Sequence, residues 1–153
     1  MIWKPHVTVA AVIERRNLFL LVEEETSGGL AFNQPAGHLE EGEDLITAVR
    51  REVLEETRWQ FAPECIIAIQ LWRRNPAAPS FLRVCFAGKC HSQQPERELD
   101  TGIVDTHWFS REKIASLGQR LRSPLVLSSV DSYLQGEKYP LSLLKSMLDR
   151  DHG

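Results

Sequence analysis

Residues 37–59 read GHLEEGEDLITAVRREVLEETRW, and this stretch decides how the rest of the chain is organised. From Asp44 to Thr57 its apolar residues recur at the spacing of one face of an α-helix. These residues are Leu45, Ile46, Val49 and Val53. The acidic residues Glu41 and Glu43 stand at the start of the segment, where a helix dipole favours negative charge. The segment therefore predicts one amphipathic helix.

Three glutamates of this helix, Glu52, Glu55 and Glu56, fall on one side of it. At about 100° per residue they lie within an arc of roughly 100° that borders the apolar face. Carboxylates spaced in this way repel one another by about 0.2–0.5 kcal/mol per pair. Such a cluster beside the core needs a positive charge, and a divalent cation with oxygen ligands, such as Mg²⁺, would supply it. The spacing alone leaves a solvated acidic face open as an alternative, with Arg50 or Arg51 neutralising part of it.

The loop before the helix adds groups that could reach the same place. Gly37 lets the backbone approach closely, and Gly42 allows a sharp turn. Glu43 stands near the helix start, where Arg51, two turns further on, could reach it. A loop that folds back in this way could also present a backbone carbonyl to the same ion.

Predicted strands lie on both sides of this helix in the sequence. Residues 6–13 are apolar on both faces, which is typical of a strand buried on both sides. A tight turn at residues 15–17 joins them to a second strand. The further predicted strands are Leu18 to Glu24, a short extended piece from Leu30 to Gln34, Cys65 to Arg73 paired antiparallel with Phe81 to Cys90, and Ile103 to Phe109.

Helices are predicted again toward the end of the sequence. Ser110 is the expected N-cap of a helix from Arg111 to Leu117. Pro124 is the expected first residue of another helix, which runs to Leu134 and is stopped by Gly136. The segment from Leu141 to Leu148 is a candidate for a final short helix. Strands grouped around one central helix, with helices at the end, predict an α/β fold whose mixed sheet is covered by helices on both faces.

The composition is that of one ordinary globular domain, so residues 1–153 are expected to form a single domain. A formal net charge of -3 provides no positive field for a nucleic acid polymer or an anionic membrane surface. The three cysteines, Cys65, Cys85 and Cys90, form no C-x-x-C pair and are expected to be buried and reduced. No signal-peptide pattern or membrane span is found, and a cytoplasmic protein is expected.

The motif around the central helix resembles the Nudix box. Gly37 is followed after five residues by Glu43, after seven more by Arg51-Glu52, and then by residues 53–57, VLEET. The Nudix family shares an α/β/α sandwich with a mixed sheet, and its members hydrolyse nucleoside diphosphate derivatives and related pyrophosphates using Mg²⁺. Arg58 departs from the pattern, which has a glycine there as a C-cap with positive φ. A non-glycine residue adopts that conformation at a cost of roughly 1 kcal/mol.

The segments that flank the box narrow the resemblance to the NudJ-type phosphatases of this family. The similarity runs from Pro5 to about Leu141. Its clearest segments are residues 4–10, KPHVTVA, residues 33–40, NQPAGHLE, residues 121–126, LRSPLV, and residues 139–141, YPL. These enzymes act on nucleoside tri- and diphosphates and on thiamine-pathway pyrophosphates, and they release inorganic phosphate.

The resemblance implies a role for each matching residue. Glu52, Glu55 and Glu56, with the Gly37 carbonyl, would hold one to three Mg²⁺ ions, for which Mn²⁺ is a possible substitute. Arg51 would orient a glutamate, with Glu43 as its partner. The general base is left open: it is Glu52 or Glu56 within the box, or one of the later acids. Those acids are Glu96, Glu98, Asp100 and Asp105.

Residues for substrate recognition are less clearly indicated. Arg83 and Arg122 could contact phosphates, as could Arg73, and His38 follows the loop glycine and could face the site. Aromatic residues that could stack on a ring are Trp3, Phe32, Trp72, Phe81 and Trp108.

The resemblance therefore implies an Mg²⁺-dependent phosphohydrolase that acts on a small-molecule pyrophosphate, as a monomer or homodimer. Two alternative functions are compatible with the same motif. One is a nucleotide pyrophosphohydrolase that releases pyrophosphate, and the other is a Nudix module that binds a nucleotide without cleaving it.

Overall fold

Seven strands and three α-helices are found in the computed structural model, which describes residues 1–148. The strands are β1 (His6–Arg15), β2 (Leu18–Thr26), β3 (Gly29–Asn33), β4 (Ala36–His38), β5 (Trp59–Trp72), β6 (Phe81–Gln93) and β7 (Ile103–Phe109). The helices are α1 (Leu45–Thr57), α2 (Arg111–Leu117) and α3 (Leu125–Leu134), with short 3-10 helices at Gly118–Arg120 and Leu141–Leu143. Within that described part, no helix is long and apolar enough to cross a membrane.

Strand β1 lies at the centre of the fold because both of its faces are apolar. Val9, Ala11 and Ile13 pack toward α1, whereas Ala10 and Val12 pack toward α2 and α3. The strand pairs in parallel with β6 and antiparallel with β2 and β4, so the sheet is mixed. The predicted α/β/α arrangement with a mixed sheet is confirmed.

The strands diverge on one side of β1 and leave room for a cavity. Next to their connecting turn, residues 14–15 of β1 pair with residues 18–19 of β2. The turn has positive φ at Arg16 (52°) and Asn17 (63°), as a two-residue hairpin requires. Further along, β1 pairs with β4, whereas β2 lies between β3 and β7. The opening between these two groups of strands is bordered by α1.

Helix α1 ends at the residue that departs from the Nudix pattern. At its start, the Asp44 side chain caps the helix by accepting the Thr47 N–H at 2.7 Å. At its end, Arg58 has a φ of 66°, and its N–H donates to the Leu54 carbonyl at 2.9 Å. The Arg58 side chain also donates from Nε to the carbonyl of Arg97. The left-handed C-cap is therefore kept, with arginine in place of glycine.

Several element boundaries differ from the sequence predictions. Strand β4 was not predicted, because three residues after a proline carry no periodic pattern. Strand β5 begins at Trp59 rather than Cys65. Its pairing with β6 includes β-bulges, one of them at Pro63, so the strand continues through this proline. Helix α3 starts at Leu125, with Pro124 as its N-cap.

The prediction of a helix from Leu141 to Leu148 is wrong. That segment has one 3-10 turn, Leu141–Leu143, and continues without regular structure to residue 148. Leu141 and Leu144 pack against the core on the α1 side, so these apolar contacts hold the segment without a helix.

The cost of the arginine C-cap can be isolated with two variants. Arg58→Ala removes the contact to Arg97 but keeps a residue with a Cβ in the left-handed conformation, whereas Arg58→Gly removes both. We expect Arg58→Gly to be more stable than Arg58→Ala by about 1 kcal/mol in urea unfolding. Equal stability of the two variants would show that this backbone position is not strained.

Candidate active site

Helix α1 carries the three predicted carboxylates, and two of them, Glu52 and Glu56, face the opening between the strands. Glu52 and Glu56 are 8% and 7% exposed, and Glu55 is half-buried. The Ala36 N–H of β4 donates to Oε1 of Glu56 at 2.9 Å. Two carboxylates therefore lie beside the hydrophobic core, as the helical spacing predicts.

Gly37 lies directly against the carboxylate of Glu52. A Cβ built on Gly37 would be 2.2 Å from the carboxyl carbon of Glu52 and 2.3 Å from each of its oxygens. Any other residue at this position would have to displace the Glu52 side chain. The close approach of the backbone, which the sequence indicates, therefore explains why glycine stands here.

Arg51 connects the loop before α1 to the carboxylates of the helix. Its guanidinium forms a two-pronged ion pair with Glu43, at 2.7 and 2.8 Å, so the contact predicted from their spacing is present. It also donates to Glu52 at 2.7 Å, to Glu55 at 3.2 Å and to the His38 carbonyl at 3.1 Å. The hydrogen bond from Arg51 lowers the pKa of Glu43. One arginine thus fixes the position of several acids.

Burial makes the charged forms of two of these carboxylates costly, and a bound cation would offset that cost. Burial raises the pKa of Glu52 even though Arg51 acts in the opposite direction. Burial also raises the pKa of Glu56 to about 9, with smaller contributions from the charges of Glu52, Glu24 and Asp100. Hard carboxylate oxygens in such a place are the donor set that a divalent cation prefers. The residues present therefore fit a bound divalent metal ion.

Asp100 completes a possible metal site that sequence spacing did not reveal. Oxygens of Glu52, Glu55 and Asp100 lie within 4.8 Å of one another. The Asp100 N–H donates to the Glu55 carbonyl at 3.0 Å, which fixes the loop against α1. Asp100 was predicted as one of four loop candidates for the base, but its place beside Glu52 depends on tertiary structure.

The other three loop acids lie elsewhere. Glu96 and Glu98 are exposed. Asp105 is exposed on β7, and its carboxylate accepts the Thr106 N–H at 2.8 Å. Asp100 is thus the member of this group that the fold brings to the α1 carboxylates.

A cavity of about 570 Å³ lies next to these carboxylates. Its walls include the three predicted substrate residues His38, Arg83 and Arg122, but not Arg73, which is exposed. The remaining lining residues are Thr8, Glu24, Asn33, Ala36, Gly37, Glu40, Glu52, Glu56, Trp72, Arg74, Ala78, Pro79, Phe81, Ser123 and Leu125. Glu24 and Asn33 were not singled out from the sequence. They lie on adjacent strands, and their common face becomes visible only with the strand register.

Two of the five aromatic candidates line the cavity. Trp72 and Phe81 have ring centroids 6.3 Å apart. Phe32 and Trp108 pack in the two cores, and Trp3 is exposed near the N-terminus.

His38 is an exposed residue in the same wall of the cavity. Its ring lies edge-on to His6, with centroids 5.4 Å apart. Burial and the neighbouring His6 lower the pKa of His38, so its neutral form is favoured near neutral pH. A neutral ring extends the uncharged wall formed by Trp72 and Phe81.

A similarity to known proteins runs through nearly the whole chain. The family model of the NUDIX domain matches residues 4–127. Phosphatase NudJ of Escherichia coli strain K12 is 41% identical over 142 residues, which cover 93% of this chain and 92% of that protein. Phosphatase NudJ of Shigella flexneri is similar to the same extent. The chain therefore belongs to the Nudix family, and it is a hydrolase that acts on phosphorus-containing anhydrides.

Solved structures agree with this assignment. A NUDIX hydrolase from Nitrosomonas europaea superposes with a TM-score of 0.93 and is 45% identical, covering 96% of this chain and 100% of its own. A UDP-X diphosphatase superposes with a TM-score of 0.73 at 19% identity, covering 92% of this chain and 68% of its own. The second similarity shows the shared fold alone. The resemblance to the NudJ-type phosphatases, first indicated by the flanking segments, is confirmed.

The raised pKa of Glu56 predicts that the metal-free protein becomes less stable as the pH rises. Its folded pKa of about 9 exceeds the unfolded value of 4.5, so its stabilising effect is complete below pH 4.5 and is lost as pH approaches 9. With a chelator present, we expect Glu56→Gln to be more stable than wild type at pH 8 by roughly 2–4 kcal/mol, relative to their difference at pH 5. Urea unfolding at both pH values measures this change.

The exposed Glu41 provides a matched control. Glu41→Gln removes one carboxylate from the loop before α1 and should leave the pH dependence of unfolding unchanged. The same pH dependence in Glu56→Gln and wild type would contradict the raised pKa of Glu56.

Proposed function

We propose that this protein is an Mg²⁺-dependent phosphohydrolase that releases phosphate from nucleoside tri- and diphosphates or thiamine-type pyrophosphates. The observation that carries the proposal is the group of oxygens from Glu52, Glu55 and Asp100, within 4.8 Å of one another. Glu52 also lines a cavity that contains arginines able to bind phosphate. The 41% sequence identity to Phosphatase NudJ supports an activity that releases phosphate.

Mg²⁺ is the cation that this donor set suits, because it binds through a few carboxylates and substrate oxygens. In this proposal Glu52, Glu55 and Asp100 hold it, with Glu56 and the Gly37 carbonyl as further ligands, and Mn²⁺ can substitute. A bound divalent cation would supply charge neutralisation at the phosphates and a lowered pKa for a coordinated water.

The residues of the Nudix box are assigned two further roles, which are positioning of the metal ligands and transfer of a proton. The Arg51–Glu43 pair holds Glu52 and Glu55 in place through the hydrogen bonds of one guanidinium. Burial raises the pKa of Glu56, and a bound cation nearby would favour its ionised form again. The Ala36 N–H holds Oε1 of Glu56, so we assign Oε2 of the ionised carboxylate to take the proton of the attacking water. Glu52 is the second candidate for this role.

Arg122 is the arginine of the cavity that we assign to the phosphates of the substrate. Arg122 is about half exposed and lies on the side of the cavity that carries Glu24. It can turn toward a phosphate, whereas Arg83 is buried and already hydrogen-bonded. His38 and the adjacent aromatic rings are assigned to the uncharged part of the substrate.

The setting proposed for this activity is cytoplasmic, in one domain formed by residues 1–153, as a monomer or homodimer. Its three cysteines are unpaired, which is consistent with a reducing compartment.

The proposal predicts the identity of the product. Supplied with GTP, GDP or thiamine pyrophosphate and Mg²⁺, the protein should release inorganic phosphate, so that GTP gives GDP and then GMP. Coupled assays for phosphate and pyrophosphate, with and without chelator, measure this. One-step formation of GMP and pyrophosphate would identify a nucleotide pyrophosphohydrolase instead. Tight nucleotide binding with no turnover would identify a binding module.

Cation binding should depend on the contact between Gly37 and Glu52. At about 100 times its Kd, a cation stabilises the folded protein by about 2.7 kcal/mol. We expect Mg²⁺ or Mn²⁺ to raise the Tm of wild type, and this rise to be lost in Glu52→Gln and strongly reduced in Gly37→Ala. Hydrolysis should fall at least 100-fold in both variants.

Gly28→Ala is the matched control for Gly37→Ala. A Cβ at Gly28 has ordinary room, with its nearest neighbour, Oγ1 of Thr26, at 3.9 Å. This variant should keep both the metal-dependent rise in Tm and the activity. Full metal stabilisation of Glu52→Gln would remove Glu52 from the metal site.

A further inference from the structure

Glu24 lies in the wall of the cavity, and the hydrolysis described above does not use it. It stands on β2, with a side chain that is 18% exposed, and Arg122 approaches it to 3.7 Å. Burial raises the pKa of Glu24, while the charge of Arg122 and a hydrogen bond from the Asn33 side chain act in the opposite direction. The protein itself therefore supplies groups that favour the charged form of this carboxylate.

Arg83 sets the direction in which the Asn33 amide points. Arg83 is 5% exposed, and its Nη2 donates to Oδ1 of Asn33 at 3.2 Å and to Oε1 of Gln34 at 2.8 Å. Its Nη1 donates to Oγ of Ser129 at 3.1 Å and to Oε1 of Gln70 at 3.3 Å. Because Oδ1 of Asn33 faces the guanidinium, its NH₂ group is left to donate to Glu24. Arg83 thus fixes Glu24 through Asn33.

The same cavity offers flat apolar surfaces. The rings of Trp72 and Phe81 line it, with His38 beside them. Aromatic faces of this kind stack on planar rings. Glu24 is also close enough to Glu56 for its charge to act on that group. A single small ligand can therefore place phosphates near α1 and a ring near Glu24.

We propose that Glu24 recognises the edge of a ring that presents two adjacent hydrogen-bond donors, as guanine does, and that Arg83 is a positioning residue for it. This inference rests on the proposed phosphohydrolase function and names the substrate class of the same site. An ionised carboxylate only accepts hydrogen bonds. Guanine offers N1–H and an amino group side by side, hypoxanthine offers N1–H alone, and adenine offers an amino group beside an acceptor nitrogen.

The first test compares GTP, ITP and ATP as substrates of wild type and Glu24→Gln. We expect wild type to prefer GTP over ITP and ATP at least tenfold in kcat/KM. A carboxamide presents one donor and one acceptor, which match the edge of adenine. Glu24→Gln should therefore lower the GTP to ATP preference at least tenfold, through a higher KM for GTP with little change in kcat.

Glu23→Gln is the matched control, since Glu23 is the preceding residue of β2 but bonds to His107 at 3.0 Å outside this cavity. It should keep the wild-type preference. Equal use of the three nucleotides by wild type would overturn the inference while leaving phosphate release intact. A Glu24→Gln variant that loses kcat equally on all three would also overturn it, because Glu24 would then belong to the hydrolytic machinery. Pyrophosphate release with an intact GTP preference would overturn only the proposed function.

The positioning role of Arg83 is tested separately. Arg83→Lys keeps the positive charge but loses the guanidinium that donates to both Asn33 and Gln34. Asn33→Ala removes the hydrogen bond between Arg83 and Asn33 at a residue that is less buried. Both should raise the KM for GTP and reduce the GTP preference without lowering kcat for ATP. If Arg83→Lys does not fold, Asn33→Ala alone decides. An unchanged preference in Asn33→Ala would show that Arg83 acts only in packing.

Discussion

The burial of Glu52 and Glu56 beside the hydrophobic core is the constraint on which the site depends. Carboxylates in such a place are costly, and the surrounding elements reduce that cost without removing it. The backbone of β4 supplies an N–H to Glu56, and Arg51 supplies its guanidinium to Glu52. Burial nevertheless raises the pKa of both acids, so their charged forms stay costly unless a further positive charge is present. The fold therefore provides rigidity and leaves part of the charge balance to a cation.

Much of the fold follows from local sequence, because its main elements carry strong periodic or capping signals. Strand β7 and helix α2 occupy the residues that the sequence predicts, with Ser110 as the N-cap. Strand β4 could not be predicted in this way, since three residues after Pro35 become a strand only through pairing with β1. The segment after Pro140 looked helical from its leucines, but those leucines are used for contacts with the core.

The residues of the candidate site also fall into those that local sequence predicts and those that depend on tertiary structure. Helical spacing brought Glu52, Glu55 and Glu56 to one side of α1, and the Arg51–Glu43 contact follows from two turns of helix. Asp100 reaches Glu55 across a long loop, and no local pattern specifies that distance. Glu24 and Asn33 share a face because β2 and β3 pair in one particular register. Residues contributed by one element were thus predictable, whereas those assembled from several elements were not.

Burial raises the pKa of Glu24 as it does that of Glu52 and Glu56, but the side chains that contact the two groups of carboxylates differ. Around Glu24 the protein itself supplies Arg122, Asn33 and, behind them, Arg83. Around α1 a single arginine, Arg51, serves Glu43, Glu52 and Glu55 together. A single carboxylate that is contacted by an arginine and an amide can recognise a neutral hydrogen-bonding edge without an additional cation. Several carboxylates that share one arginine can instead hold a metal ion and, through it, bind phosphate. One cavity can therefore hold both ends of a substrate whose charge lies entirely at one end.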